Sequence, residues 1–153
     1  MRFLVDRMLG TLVKWLRILG YDTLYAPEGD DEKVLVIAKK ENRILLTRDK
    51  DMEARAKKLG ISSLYISSDS LNEQISAVAK KFGINAENAL SRCAVCNVEI
   101  EVVEKEGVRG KVPEAVYMLK KEFWVCRNCG RVYWVGTHWD GIKKRLNGIF
   151  FQS

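Results

Sequence analysis

The chain has 153 residues, 47% hydrophobic and 30% charged, with a formal net charge of +6, four cysteines and two prolines. That is room for one ordinary domain, or for a compact one with an appendage too small to fold on apolar burial alone, and it excludes long disorder. A membrane span is excluded too: no run approaches the roughly 18 apolar residues it needs, and MRFLVDRMLG, broken by Asp6, is no signal peptide.

A cytoplasmic protein is therefore expected, and in that reducing setting closely paired cysteines hold a metal rather than form disulfides. The charge is uneven. Residues 91–153 carry 11 basic and 7 acidic side chains, against 15 and 13 in residues 1–90. A basic excess of this kind is compatible with a phosphate-rich partner.

Residues 2–6 (RFLVD) read as a short buried strand. Leu9, Leu12, Val13, Leu16 and Leu19 then recur at helical spacing until Gly20 stops the helix. Arg7, Lys14 and Arg17 fall at i, i+7 and i+10, which predicts one basic stripe away from the core face. DTLY at 22–25 suggests a second strand, Pro27 to Asp30 a turn, and Asp31 the N-cap of a helix that buries Val34, Leu35, Ile37 and Ala38. RILLT at 43–47 is a third strand, Lys50 to Leu59 a helix ended by Gly60, and LYI at 64–66 a fourth strand. Ser70 and Glu73 form a capping box for a last helix through Leu71, Ile75, Val78 and Phe82, closed by Gly83.

Strands that are continuously apolar and alternate with helices predict an α/β fold, a parallel sheet covered on both faces. Ligands of such sheets bind at the edge formed by the strand C-termini. Asp6 and Asp49 each come at or just after the end of a predicted strand, so the architecture alone sends them to that edge.

After Asn85 the pattern changes to short strand-like pieces, VEIEVVE at 98–104, EFWVC at 122–126 and RVYWV at 131–135, with a β-hairpin expected inside residues 97–125. Trp139 to Phe150 reads as a short helix or turn. Cys93 and Cys96, then Cys126 and Cys129, make two Cys-x-x-Cys knuckles with turn-forming neighbours Asn97, Asn128 and Gly130. Four thiolates from two knuckles complete a tetrahedral, structural Zn²⁺ site; two redox pairs or disulfides are the competing readings. His138, the only histidine, reads as a hydrogen-bonded turn residue beside Trp139.

The aspartates Asp6, Asp30, Asp31, Asp49 and Asp51 have the hard oxygen chemistry that holds Mg²⁺ or Mn²⁺ and serves phosphodiester hydrolysis. Each also has a plain reading: Asp31 a cap, Asp30 a turn residue, Asp51 a first-turn acid, Asp22 and Asp69 solvated. Asp6 resists one, because a carboxylate ending a buried strand loses solvation unless it is paired or metal-bound. Arg48 and the Arg7, Lys14 and Arg17 stripe offer phosphate contacts, or are a solvated face. Tyr117, Phe123, Trp124, Tyr133, Trp134 and Trp139, interleaved with Lys120, Lys121, Arg127 and Arg131, are either base-stacking platforms or the core of a small metal module.

The runs FLVDRMLGTLVKWLRILGYDT, ENRILLTRD, RCAVCN and CRNCGRVYWVGTHW, in that order across nearly the whole chain, closely resemble the Mut7-C family. The resemblance implies a PIN-like ribonuclease domain over residues 1–90 and a β zinc ribbon with a C-terminal extension over 91–153. It implies Asp6, Asp31 and Asp49 as carboxylates for Mg²⁺ or Mn²⁺, Asp51 as a fourth, and single-stranded RNA as the partner. Where PIN nucleases often add an acid in a later helix, this chain has only Glu73, already used as a cap. Two readings from other classes stay open: a non-catalytic RNA-binding adaptor, and a receiver-like phosphoacceptor domain.

Overall fold

A computed structural model describes residues 1–150, apart from the side chains of residues 137–139, so His138 and Trp139 lie outside the described side chains. The first half is strand then helix, repeated: β1 (Arg2–Val5), α1 (Gly10–Ile18), β2 (Asp22–Tyr25), α2 (Asp31–Lys40), β3 (Ile44–Thr47), α3 (Lys50–Lys58), β4 (Ser63–Tyr65) and α4 (Leu71–Phe82). A single 3-10 turn, Arg7–Leu9, separates β1 from α1. All pairings in this sheet are parallel and the strand order is β2-β1-β3-β4. The chain moves outward from β1 to β2, then crosses back to β3, so the order reverses between β1 and β3.

The period of two in a strand splits each apolar run between two cores. Phe3, Val5 and Leu46 face one cluster with Leu12, Leu16, Ile75 and Val78; Leu4 and Leu45 face the other with Leu35, Ala38, Met52 and Ala56. Leu and Phe side chains buried in this way each contribute about 1.5–3 kcal/mol. Helices on both faces follow from strands that are apolar on both faces.

The second half forms an antiparallel sheet of β5 (Glu101–Val103), β6 (Phe123–Val125) and β7 (Val132–Tyr133), in that order. Instead of the expected hairpin, the segment between β5 and β6 folds into a second 3-10 turn, Lys105–Val108, and a short helix α5 (Glu114–Leu119). Only Val108 of these two pieces is buried, so the excursion is local and weakly anchored. Helix α6 (Thr137–Phe150) returns to the front sheet, where Ile142 and Leu146 join the first core beside Trp15. Among the described residues no helix is long and apolar enough to cross a membrane.

The two sheets are joined through named contacts. Arg17 of α1 donates to the carbonyls of Thr23, Ala94 and Val95 at 2.9, 3.1 and 3.2 Å. Asn97 accepts from the Thr23 amide at 2.9 Å and donates to Asp22 at 2.8 Å. Asp22 is also bonded at 2.9 Å by Arg43, whose side chain is 5% exposed and reaches Glu41 at 2.9 Å as well. Burial opposes the Asp22 carboxylate, but the bonds from Arg43 and Asn97 outweigh it and hold the carboxyl below its ordinary value. Asp22, read as solvated from the sequence, is thus a half-buried node between the parallel sheet and the first knuckle.

Candidate functional site

Each cysteine knuckle is built the same way. The Cys93 amide donates to Val98 and the Asn97 amide to Cys93, at 2.8 and 3.0 Å; in the second knuckle Cys126 donates to Arg131 and Gly130 to Cys126, at 2.9 and 2.8 Å. These turns need a left-handed residue after the second cysteine, and Asn97 (φ 66°) and Gly130 (φ 77°) supply it. The four sulfurs all lie within 4.8 Å of one another. The Cys93 and Cys129 sulfurs are 3.9 Å apart, close to the roughly 3.8 Å edge of a tetrahedron of sulfurs about 2.3 Å from one zinc. That is nearly twice a disulfide bond, so this donor set fits a Zn²⁺ ion and not two disulfides.

Around the sulfurs the Tyr133 hydroxyl donates to Cys93 at 3.0 Å and Asn128 donates to Cys96 at 3.1 Å. Hydrogen bonds from Arg131 hold the Cys129 thiol down to about 6, while burial pushes the Cys126 thiol up to about 11. Burial resists the Cys93 thiolate, yet the Tyr133 hydroxyl and the neighbouring amides hold that thiol below its ordinary value. Phe123 is fully buried and packs edge-on to Trp134 with centroids 6.5 Å apart. Phe123, Tyr133 and Trp134 are therefore spent on the interior of this module.

The second site lies at the C-terminal edge of the parallel sheet. Asp6, at the end of β1, caps the 3-10 turn through Oδ1, which accepts from the Met8 amide at 2.6 Å. Its Oδ2 accepts from the Thr47 hydroxyl at 2.7 Å and the Arg48 amide at 2.9 Å, so it bridges to the end of β3. These bonds offset the desolvation that the sequence alone left unexplained. Asp49 caps α3: its Oδ1 accepts from the Asp51 and Met52 amides at 2.9 and 3.2 Å. Asp30, not Asp31, caps α2, accepting from Glu32 and Lys33 at 3.0 and 3.2 Å. The correction has a simple cause: Asp30 keeps the extended backbone of a cap, and Asp31 is already the first helical residue.

Asp6, Asp30, Asp31 and Asp49 line one cleft of about 210 Å³, with Thr47 and Arg7 beside them. Asp51 does not line it; its side chain is exposed on the first turn of α3. The carboxylates converge less tightly than the cysteines: among the described residues only the four sulfurs meet as a close cluster. Each aspartate nevertheless keeps acceptor capacity. Of the four lone-pair sites of a carboxylate, three are used at Asp6, both unused ones at Asp49 and Asp30 belong to Oδ2, and Asp31 has only an ion pair to Arg55 at 4.0 Å. Mg²⁺ keeps several waters and takes one or two carboxylates, so this donor set fits a hydrated divalent ion.

The basic residues separate rather than form a stripe. Arg7 turns to the Ala26 carbonyl at 3.1 Å and Glu28 at 2.9 Å and lies over the Tyr25 ring. Arg17 is committed to the knuckle contacts above, and burial lowers its ordinarily high pKa. Lys14 is exposed on α1. Arg48 pairs with Asp69 and donates to the Ser67 carbonyl at 3.0 Å, on the rim of a second cleft that shares Met8 with the first. Thr47 is the residue the sequence reading missed. Its hydroxyl donates to Asp6 and accepts from the Asp49 amide at 3.0 Å, joining the two strand-end acids.

The chain is 31% identical over 103 residues to the human exonuclease mut-7 homolog, an alignment covering 64% of this chain and 12% of that protein. The chain thus spans about one eighth of the length of the curated relative it matches. No solved structure matches it. The family described as the Mut7-C RNAse domain matches residues 1–146, from the strand that carries Asp6 through both knuckles to the buried Leu146, and the chain belongs to that family.

Proposed function

We propose that the protein is a PIN-like ribonuclease that depends on Mg²⁺ or Mn²⁺ and hydrolyses phosphodiester bonds of single-stranded RNA. A structural Zn²⁺ holds the cysteine-bearing ribbon, which assists RNA binding, and the setting is cytoplasmic. The observation that carries the reading is the meeting of Asp6, Asp30, Asp31 and Asp49 in one cleft where the strand order reverses, the place where open α/β sheets bind ligands. The family description, an RNAse domain, and the human relative, named an exonuclease, support it.

Asp6 through Oδ1, Asp49 through Oδ2 and Asp31 would hold the divalent ion. Such an ion supplies Lewis-acid activation of water and neutralises charge on the phosphodiester. The protein's own groups set the geometry. Thr47 and the Arg48 amide orient Asp6, and the α3 amides orient Asp49, so neither carboxylate is left to rotate freely. Asp51, outside the cleft, would act only through water. Arg48 and Arg7, which line the two clefts that share Met8, would meet the phosphates flanking the scissile one, with Lys14 further along α1 and Arg17 acting only by holding the knuckle in place.

Asp31→Asn is the cleanest test, because Asp31 makes no capping bond. With labelled single-stranded RNA and Mn²⁺, it should lower the cleavage rate at least about tenfold, with zinc content and unfolding midpoint unchanged. Cleavage that survives EDTA, or an Asp31→Asn rate equal to wild type, would sink the reading. A second reading, RNA binding without turnover, is favoured by one observation: Asp6, Asp30 and Asp49 already serve the fold as caps. It predicts that RNA bound by the wild type stays intact whatever the metal.

A further inference from the structure

The helices on the two faces of the parallel sheet differ in how their charges are used. Over one face α2 and α3 set four acids among seven cations, and two of those cations are paired, Arg55 with Asp31 and Glu32 and Lys57 with Glu53. Over the other, α1, α4 and α6 expose Lys14, Lys80, Lys81, Lys143, Lys144 and Arg145, and their only acids are Glu73 and Asp140. Among the described residues none of those six cations enters an ion pair. Glu73 is bonded to Ser68.

Lys80 and Lys81 lie in the last turn of α4, where cations offset the helix dipole. Lys143, Lys144 and Arg145 lie in the middle of α6, where no dipole accounts for them. Arg145 stacks over the Trp15 ring at 5.1 Å, which ties the cations of α6 to α1. Three segments far apart in sequence thus build one positive surface.

The chemistry of that surface selects its partner. Membrane-surface helices insert large apolar side chains, and among the described residues none of the large exposed apolar side chains belongs to α1, α4 or α6. A polyanion that is bound without insertion fits instead. The surface also leads somewhere: α1 and α4 begin at the second cleft, lined by Met8, Thr11, Arg48 and Asp69, which shares Met8 with the acidic cleft.

We propose that the α1, α4 and α6 face binds the sugar-phosphate backbone of an RNA strand and guides it over Met8 into the acidic cleft. That the polyanion is RNA rests on the ribonuclease reading. The face itself does not depend on cleavage.

The test measures binding of the full chain to a labelled oligouridine by anisotropy as salt is varied, without divalent ions. The quadruple variant Lys80→Gln, Lys81→Gln, Lys143→Gln, Lys144→Gln should raise Kd at least about tenfold near 0.1 M salt and lower the log–log salt slope by about 2–3, since each phosphate contact on a single strand contributes about 0.7. A charge-matched variant on the other layer, Lys33→Gln, Lys40→Gln, Lys57→Gln, Lys58→Gln, should stay within about twofold of wild type, with a slope change under about 1. Unchanged binding by the first variant, or equal weakening by both, overturns the proposal, as does binding to phosphatidylserine vesicles but not to RNA. Face-dependent binding with no cleavage under Mg²⁺ or Mn²⁺ would support this face and defeat the nuclease reading. Cleavage that persists at wild-type rate and affinity in the first variant would do the reverse.

Discussion

Asp6 is held by three hydrogen bonds at 2.6, 2.7 and 2.9 Å, so the strand-end carboxylate is a structural tie whatever else it does. Bonds to a charged acceptor are worth about 1.5–3 kcal/mol each, less where partly solvated. Asp6→Ala removes all three, and about 3–5 kcal/mol of destabilisation is expected. Asp6→Asn can keep its amide oxygen toward Thr47 and Arg48, which turns its NH₂ toward the Met8 amide; one bond is lost, for about 1–2 kcal/mol. Against a total stability of about 5–15 kcal/mol, the asparagine variant stays folded and the alanine variant approaches the margin. Urea unfolding followed by far-UV circular dichroism measures both, with Asp31→Asn as reference at about 0–0.5 kcal/mol for an exposed, long ion pair. An Asp6→Ala variant no less stable than Asp31→Asn would refute the bridging role. Loss of cleavage in Asp6→Asn alone therefore says less about metal binding than the same loss in Asp31→Asn.

Three further outcomes follow from the packing. Gly20 and Gly83 both have positive φ, 95° and 73°, but a Cβ on Gly20 would sit 2.3 Å from the Asn88 carbonyl oxygen whereas Gly83 faces open space; Gly83→Ala should cost about 1 kcal/mol and Gly20→Ala at least about 2 more, and equal midpoint shifts would contradict the close approach. Because Asp22 has a lowered carboxyl pKa in the folded protein, its contribution is complete above pH about 4 and is lost as pH falls through the folded value. Asp22→Asn should thus be less stable by about 1–3 kcal/mol at pH 7, with the deficit shrinking below pH 4; a pH-independent deficit would contradict the linkage. Chelation should release one zinc per chain, measurable colorimetrically, and abolish near-UV signals from Trp124 and Trp134 while α1 to α4 retain their far-UV signal; retention of the near-UV signals would show that the ribbon does not rest on metal.

The central strands β1 and β3 were legible because each carries a continuous apolar run, and β2 and β4 because short apolar pairs stand between turn residues, signals that survive without tertiary context. The knuckles were legible for the same local reason. What was hidden depends on partners far away in the chain. Asp22 reads as solvated until Arg43 and Asn97, 21 and 75 residues on, close around it. Asp69 is solvated as read, and only its pairing with Arg48, 21 residues away, was hidden. The capping box at Ser70 is relayed rather than direct: Ser70 Oγ accepts from the Glu73 amide, but the Glu73 carboxylate bonds Ser68, whose hydroxyl accepts from the Ser70 amide. Helical periodicity put Arg17 with Arg7 and Lys14, and could not say that the first knuckle would dock over it. The family name was within reach of sequence because its motifs are local; which aspartate is free to meet a ligand was not.

Both outer strands of the parallel sheet present an amide that a side chain plugs. Glu53 accepts from the Tyr65 amide of β4 at 2.7 Å, and Asn97 does so for Thr23 of β2. Open strand edges recruit other strands, and covering them is how soluble sheets avoid templating aggregates. The two guards differ in what keeps them in place. Glu53 belongs to the helix beside its strand and stays while the fold stays, whereas Asn97 is the last residue of a cysteine knuckle. If zinc holds the ribbon, as proposed, a chain starved of it would lose the β2 guard first, and metal supply would then set not only whether the ribbon folds but whether the sheet remains solitary.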